Sequence, residues 1–254
     1  MIDPTLRFSS RAENYVKYRP HYPREVITTL LEECGLAPSA LVADIGSGTG
    51  ALTELFLQNG NRVFAVEPNR RMREAAEGLL RKFPGFRSVE GRAEATNLED
   101  HSVDFAVVGQ AFHWFEIPET RREFLRILRP PAWSMLVWNE REFQRTPFLA
   151  AYDRLLQRHA PDYAREKHKR VYDTALMDFF GRRGFAERTF SCLQEMDFEG
   201  AKGRLLSSSY TPEPGHPDHE PMMAELLKIF ETYEVNSRVT FEYITRMYFG
   251  QLAD

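Results

Sequence analysis

The first half of the chain alternates between short continuous apolar runs and longer segments whose apolar residues recur at helical spacing. The runs are too short for helices and predict buried strands, whereas the spaced segments predict amphipathic helices. The predicted strands are 41–45, 62–66, 86–90, 103–108 and 135–138, and the predicted helices are 24–34, 52–59, 72–80 and 124–128, the last closed by Arg129-Pro130-Pro131.

After residue 140 the pattern changes to longer helical segments. It predicts helices at 148–159 and 221–233, strands at 188–196 and 239–249, and a loop at 211–221 that is rich in Pro and Gly. Strands that alternate with helices in this way predict a doubly wound α/β fold with a mostly parallel, seven-stranded sheet. We expect one domain over residues 1–254, in which 1–140 form a ligand-binding core and 141–254 complete the sheet and cover a pocket with helices.

The clearest chemical signal is the segment Val42-Ala43-Asp44-Ile45-Gly46-Ser47-Gly48-Thr49-Gly50, where a predicted strand runs into a helix. Glycines at such a point let the backbone turn tightly and bring its N–H groups close to a ligand. Two ligand classes fit the pattern. One is a dinucleotide, since Gly46, Gly48 and Ala51 satisfy GxGxxA and Glu67 follows at the distance that suits ribose hydroxyls. The other is the DxGxGxG loop of enzymes that use S-adenosylmethionine (SAM).

Three observations favour SAM. Asp44 stands two residues before the first glycine, where its charge can orient the loop and face a cationic sulfonium better than a pyrophosphate. A complete helix precedes the first strand, which dinucleotide domains commonly lack. Glu94, after the third strand, is placed to accept a hydrogen bond from an adenine amino group.

With these motifs the sequence resembles the class I SAM-dependent methyltransferases of the type-11 group, and especially small-molecule methyltransferases similar to trans-aconitate methyltransferase. The resemblance covers about the first 140 residues and is looser beyond them. It rests on segments 8–15, 18–20, 22–23, 44–50, 65–69, 91–95 and 104–115, and more weakly on 207–210 and 239–250.

The resemblance implies a cofactor site at the carboxyl ends of the strands, with SAM as the cofactor. In it Glu67 would hold the ribose hydroxyls, Met72 would pack on the adenine, and His113 and Trp114 would lie beside the methyl group. The implied cofactor-binding set is Tyr15, Tyr18, Arg19, Asp44, Gly46, Ser47, Gly48, Gly50, Glu67, Pro68, Asn69, Met72, Ala93, Glu94, Gln110, Ala111 and Trp114.

The resemblance suggests methylation of a small-molecule acceptor, at the oxygen of a carboxylate or hydroxyl. A carboxylate needs no general base because it is ionised at neutral pH, whereas a hydroxyl or a ring carbon needs one. His113 is the candidate base, and the alternative is a structural histidine beside the pocket. The functional alternatives are C-methylation of a quinone-like or polyketide-like ring, SAM binding without transferase activity, and an NAD-dependent oxidoreductase.

Other polar residues add weaker hypotheses. Arg19, Arg204 and Arg246 are candidates to grip an anionic substrate, and each is alternatively a surface charge. Aromatic residues are dense near the proposed site, where tyrosine and tryptophan faces attract a sulfonium cation, whereas Phe112 and Phe115 are more typical of core. His216-Pro217-Asp218-His219 lacks further ligands at metal-binding spacing, so we expect no metal.

Composition limits the partners. The formal net charge of −4 argues against a nucleic-acid-coating surface, and the basic clusters at 70–73, 121–122 and 165–170 have acidic neighbours that favour solvated helix faces. Two cysteines cannot build a disulfide framework. With no apolar stretch of signal-peptide or membrane-spanning type, we expect a cytoplasmic protein whose partner is a small molecule rather than nucleic acid or membrane.

Overall fold

The computed structural model describes residues 18–160, 163, 173–208 and 210–252. The apolar runs of the sequence form seven strands that pair into one sheet. The strands are β1 (Leu41–Ile45), β2 (Arg62–Val66), β3 (Phe86–Val89), β4 (Val103–Gly109), β5 (Leu128–Arg141), β6 (Ala186–Met196) and β7 (Val239–Gln251).

The segments with helical spacing form helices on both sides of the sheet and beyond one of its edges. They are α1 (Glu25–Cys34), α2 (Ala51–Gln58), α3 (Arg70–Leu80), α4 (Ile117–Ile127), α5 (Pro147–His159), α6 (Asp173–Phe180), α7 (Phe198–Leu206) and α8 (His219–Tyr233), with 3-10 turns at Phe112–Trp114 and Gly181–Arg183.

The strand order is β3-β2-β1-β4-β5-β7-β6. Strands β1 to β5 are parallel, and β7 lies antiparallel between β5 and β6. The chain moves outward from β1 to β3 and then returns to β4 on the other side of β1. Strand order therefore reverses between β1 and β4, and in open α/β sheets ligands bind at the carboxyl ends of the strands beside such a point. The predicted doubly wound, mostly parallel fold is confirmed.

Alternate residues of the central strands face opposite sides of the sheet. In β4, Phe105 and Val107 join one buried cluster with α1 and α2, whereas Ala106 and Val108 join another with α4 and α6. Both faces are covered, which explains why the strand reads as a continuous apolar run rather than an alternating one.

A third cluster, formed by α5, α7 and α8, lies past the sheet's edge. It contains Phe241 and Tyr243 at the start of β7, and Tyr243 pairs with Arg141 at the carboxyl end of β5. These helices are therefore next to the carboxyl ends of the strands, the same end of the sheet at which ligands bind beside the reversal of strand order.

The structure corrects several predicted boundaries. Leu128 begins β5 rather than ending a helix, because its backbone pairs with Val103, and the register shift that follows accommodates Pro130 and Pro131. Helix α8 begins at His219, before Pro221, because proline is compatible with the first turn of a helix. Helix α6 was not predicted, although its Leu176, Phe179 and Phe180 have helical spacing and are buried.

One buried carboxylate ties the loop after β3 to α4. The backbone N–H and hydroxyl of Thr96 donate to Glu123 Oε1 at 2.8 and 2.6 Å, and Arg126 Nη2 donates to the same oxygen at 2.7 Å. Burial by itself raises the pKa of Glu123, but the hydrogen bonds from Arg126 and Thr96 outweigh it and lower the pKa from 4.5 to about 2. The loop at 91–96 is therefore held by an ionised side chain.

We expect Glu123→Gln to destabilise the protein by about 2 kcal/mol at pH 7, since it weakens charge-assisted hydrogen bonds. The pKa of Glu123 is lower in the folded state, so the difference from wild type is complete above pH 4.5 and is lost as the pH falls towards 2. Urea unfolding at several pH values measures it. Glu119→Gln, at an exposed position of the same helix, is the control and should change little; an equal effect of both variants would contradict the assignment.

Candidate functional site

The glycine loop between β1 and α2 has left-handed backbone at three positions, with φ of +71° at Gly46, +57° at Gly48 and +89° at Gly50. The N–H groups of Gly46 and Ser47 both donate to Val66 O, at 2.8 and 3.1 Å, which closes the loop against β2. A side chain at Gly46 would place its Cβ 2.7 Å from Ala111 Cβ, whereas no atom lies within 4 Å of a Cβ at Gly48. The loop is therefore packed at its start and open at its middle.

Glu67 follows β2 and reaches back to this loop. Its Oε2 accepts from Gly48 N at 2.9 Å and its Oε1 from Asn69 N at 2.8 Å. Burial raises the pKa of the Glu67 carboxyl in spite of these hydrogen bonds. Asn69, predicted to touch the cofactor, caps α3 by accepting from Met72 N, and Pro68 O accepts from Arg73.

Asp44 lies in β1 directly before the loop and is completely buried. Its Oδ2 accepts from the Thr53 hydroxyl of α2 at 2.6 Å, and its Oδ1 has no hydrogen-bond partner. Burial raises the pKa of Asp44 to about 7, although the hydrogen bonds from Thr53 oppose the rise. A buried acceptor without a donor is unfavourable, and such groups in native proteins commonly mark a functional role.

The ends of β3 and β4 supply the opposite wall. Ala93 and Met72 are buried, and Glu94 Oε1 accepts from Glu116 N at 3.1 Å. Gln110, which follows β4, has a φ of +60°, and its side-chain amide donates to Asn139 O at 3.2 Å. Together with Ala111 these residues line the carboxyl edge of the sheet next to the glycine loop.

The aromatic residues after β4 fall into two groups. Phe112 is buried and contacts Phe179 edge to face, so its prediction as core is confirmed. Phe115 is half-buried, and its ring lies 3.3 Å from where a Cβ of Gly46 would be, so it borders the glycine loop in addition to the core. His113 and Trp114 are half-buried and in contact, with ring centroids 4.9 Å apart.

Residues 18–22 cross this edge of the sheet. The Tyr22 hydroxyl lies 2.5 Å from where a Cβ of Gly109 would be. Tyr18 packs on Gly203 of α7, and Arg19 Nη2 donates to Ser207 O at 3.4 Å. Tyr15 and the basic cluster at 165–170 lie outside the described residues.

The three candidate arginines have different environments. Arg246 forms ion pairs with Glu140 and Glu187, both at 3.0 Å, which favours the alternative of a surface charge that is paired within the protein. Arg204 is 2% exposed, so the alternative of a surface charge does not apply to it.

The 211–221 segment contains the histidines that were considered for a metal. His219 Nδ1 bonds to the Pro212 carbonyl at 3.0 Å, a local contact between the loop and the start of α8.

Arg204 belongs to a cluster that sequence reasoning missed, which we call the Arg–Tyr cluster: Arg141, Tyr152, Arg204, Tyr210 and Tyr243. Arg141 Nη2 donates to the Tyr210 hydroxyl at 2.5 Å, and Arg204 Nε donates to the Tyr243 hydroxyl at 3.1 Å. Its members come from β5, α5, α7, β7 and the segment after α7. The sequence signals were Arg204, a candidate to hold an anionic substrate, and the segments 207–210 and 239–250 of the resemblance, which contain Tyr210 and Tyr243; Arg141 and Tyr152 were not singled out.

Comparison with known proteins shows similarity to methyltransferases. Residues 43–136 match the family described as "Methyltransferase domain". An uncharacterized methyltransferase from Mycobacterium tuberculosis is 38% identical over 140 residues, which is 55% of each chain. An uncharacterized methyltransferase from Schizosaccharomyces pombe is 27% identical over 248 residues, 95% of each chain. The chain therefore spans about half the length of the mycobacterial relatives that it matches.

Solved structures share the fold. A candidate type II methyltransferase from Anaeromyxobacter dehalogenans aligns with a TM-score of 0.67 and 22% identity, covering 93% of this chain and 99% of that one. A candidate methyltransferase from an antibiotic biosynthesis pathway of Anabaena variabilis aligns with a TM-score of 0.62 and 19% identity, covering 92% and 98%.

Residues 43–136 thus match a methyltransferase-domain family, and the described chain shares the Rossmann-like fold of the solved methyltransferase structures. The class that this similarity indicates, the class I SAM-dependent methyltransferases, uses SAM as its cofactor. Within the described part of the chain, no helix is both long and apolar enough to cross a membrane.

We expect Asp44→Asn to stabilise the protein at pH 8 by at least about 1 kcal/mol. The folded-state pKa of about 7 exceeds the ordinary 3.8, so ionising Asp44 destabilises the folded state; this penalty is absent below pH 3.8 and complete above pH 7. Urea unfolding at pH 4 and pH 8 measures the effect, with Asp178→Asn at an exposed position of α6 as the control. A variant less stable than wild type at pH 8 would show that the second oxygen has a partner in the protein.

Proposed function

We propose that the chain is a SAM-dependent methyltransferase that transfers a methyl group to an oxygen of a small-molecule acceptor, a carboxylate or hydroxyl. The observation that carries the proposal is the combination of open space at Gly48, the unpartnered Asp44 oxygen and the buried Glu67, all at the end of β1 and β2. The methyltransferase-domain match over residues 43–136 supports it.

The residues present fit the cofactor. Gly46, Gly48 and Gly50 would let the backbone approach its methionine part, and the negative charge of Asp44 suits a cation. Glu67 has lone pairs left beyond its two backbone donors, since each carboxylate oxygen accepts more than one hydrogen bond, so it can also hold ribose hydroxyls. Met72 and Ala93 offer apolar surface for the adenine.

When bound, SAM supplies a methyl group on a positively charged sulfur. The task of the protein is to align the acceptor oxygen with that group and to exclude water. Gln110 and Ala111 border the loop from the end of β4, and the rings of Trp114 and Phe115 add a face that repels water and attracts a cation. The helices α5, α7 and α8 would cover the acceptor from beyond the sheet edge.

A carboxylate acceptor requires no proton transfer, whereas a hydroxyl must lose a proton to a base. His113 lies after β4, beside Trp114, and is the candidate for that role. This difference separates the two acceptor types experimentally.

The cofactor site is tested by Gly48→Ala. The variant should fold at a cost of about 1 kcal/mol, because its backbone is left-handed but its methyl group meets no atom within 4 Å. Its affinity for S-adenosylhomocysteine should fall at least about tenfold, since the methyl group enters the space proposed for the ligand. Isothermal titration calorimetry measures the affinity.

Gly35→Ala is the matched control, because Gly35 also has a positive φ of +69° and open space, but lies at the end of α1. It should bear the same folding cost and keep full affinity. Equal affinity of the Gly48 variant would contradict the site, and binding of NAD instead of S-adenosylhomocysteine would overturn the proposed function in favour of an oxidoreductase.

His113→Gln distinguishes the acceptor types. With carboxylate acceptors we expect S-adenosylhomocysteine formation to stay within about threefold of wild type, because no base is needed. With hydroxyl acceptors it should fall by about 10²–10⁴-fold. The rate is measured at saturating SAM, with the S-adenosylhomocysteine affinity as the control for an intact cofactor site. Unchanged rates with hydroxyl acceptors would remove His113 as the base.

A further inference from the structure

Two arginines of the Arg–Tyr cluster bring positive charge together between the end of β5, which carries Arg141, and α7, which carries Arg204. Arg204 is 2% exposed, and the Nη1 atom of Arg141 is buried without a hydrogen-bond partner. Neither guanidinium forms an ion pair with a carboxylate of the residues that the structure describes. Charged groups are seldom buried unless they are paired, so this pair of charges indicates a missing anion.

The surrounding side chains supply neutral hydroxyl acceptors rather than counter-charges. Arg204 Nη1 donates to Ser207 Oγ at 3.2 Å, and Arg141 and Arg204 donate to Tyr210 and Tyr243 respectively. The buried Asp153 accepts from Tyr163 and Gln157, so its carboxylate has partners other than the arginines. Burial raises the pKa of Tyr210, but the positive charges of Arg141 and Arg204 outweigh it and lower the pKa to about 8, which reflects the electropositive setting.

Tyr152 supplies a second, independent observation. Its side chain is completely buried, and its hydroxyl has no hydrogen-bond partner. The guanidinium carbon of Arg141 lies 5.6 Å from the centre of the Tyr152 ring. Both arginines are close enough to Tyr152 to lower its pKa, although burial outweighs them and raises that pKa to about 12. An unpaired hydroxyl and an unpaired guanidinium N–H thus occupy the same neighbourhood, where an anion would satisfy both.

The cluster adjoins the proposed cofactor site. Arg141 ends β5 at the carboxyl edge of the sheet, two residues after Asn139, whose carbonyl accepts from the Gln110 side chain. Tyr22 and Arg19, three residues apart, contact the end of β4 and Ser207 beside the cluster. An acceptor held by Arg141 and Arg204 would therefore lie on the methyl-transfer side of the sheet.

We propose that Arg141 and Arg204, with the Tyr152 hydroxyl, bind a carboxylate of the methyl acceptor, so that the substrate class is a small carboxylic acid. The planar guanidinium fork matches the two oxygens of a carboxylate, and the phenol donates a further hydrogen bond. The inference rests on the proposed function for the methyl transfer, but the anion site itself can be tested separately.

The first experiment measures the thermal midpoint of the wild-type protein, saturated with S-adenosylhomocysteine, against rising concentrations of succinate, benzoate, succinamide and inorganic phosphate. A carboxylate that binds the folded state raises the midpoint, and the neutral amide does not. We expect a response to at least one carboxylate and none to succinamide. A response to phosphate that exceeds both carboxylates would overturn the carboxylate assignment, and no response to any anion would overturn the site.

The second experiment uses Tyr152→Phe and Arg141→Gln. Tyr152→Phe removes a buried hydroxyl that lacks a partner, so this variant should be at least as stable as wild type without anion, whereas Arg141→Gln also removes the hydrogen bond to Tyr210. Both variants should respond to the carboxylate with at least about tenfold lower affinity. A purely structural role for these groups predicts the reverse, a loss of stability and an unchanged response. Arg246→Gln is the matched control, since Arg246 is already paired with two glutamates, and it should keep the response.

S-Adenosylhomocysteine titration of the same variants separates the two proposals. If wild type does not bind S-adenosylhomocysteine, the proposed function fails whatever the anions do. If it binds, and the variants respond to carboxylates as wild type does, only the anion site is overturned.

Discussion

The close approach of Gly46 to Ala111 is the contact on which the candidate site depends. It exists because strand order reverses between β1 and β4, so that the glycine loop and the end of β4 become neighbours. A Cβ at Gly46 would lie 2.7 Å from that of Ala111, so only glycine allows the two backbones to come this close. The same loop is bonded to Val66 O, which places Glu67 within reach of Gly48.

Buried charge of opposite sign lies on two sides of this contact. Asp44 and Glu67 stand at the ends of β1 and β2, whereas Arg141 is at the end of β5 and Arg204 is in α7. Natural proteins tolerate such violations of burial rules chiefly at functional sites. Under the proposals made above, the two regions complement a cationic methyl donor and an anionic acceptor, and attraction to both charges would favour their alignment.

Local pattern predicted the central elements well. The strands at 41–45 and 62–66 were confirmed residue for residue, because a strand that is buried on both faces is mainly apolar and is bounded by turn formers, although β1 contains Asp44 and β2 begins with the exposed Arg62. The strand β5 was predicted too short at its start, since Leu128 pairs with Val103 and prolines are tolerated at the irregular register that follows. Helix α6 was overlooked because eight residues leave little room for a periodic signal.

The sequence by itself determined the doubly wound core and the glycine loop with Asp44 and Glu67, since backbone freedom, apolar periodicity and short spacings are local properties of a chain. Only the tertiary structure decided the environments of the arginines. Arg204 and Arg246 look alike in the sequence, yet one is buried beside tyrosines and the other is paired with Glu140 and Glu187. The Arg–Tyr cluster gathers residues from two strands, two helices and the segment after α7, which lie far apart in the chain. The charge balance around a side chain depends on such long-range neighbours.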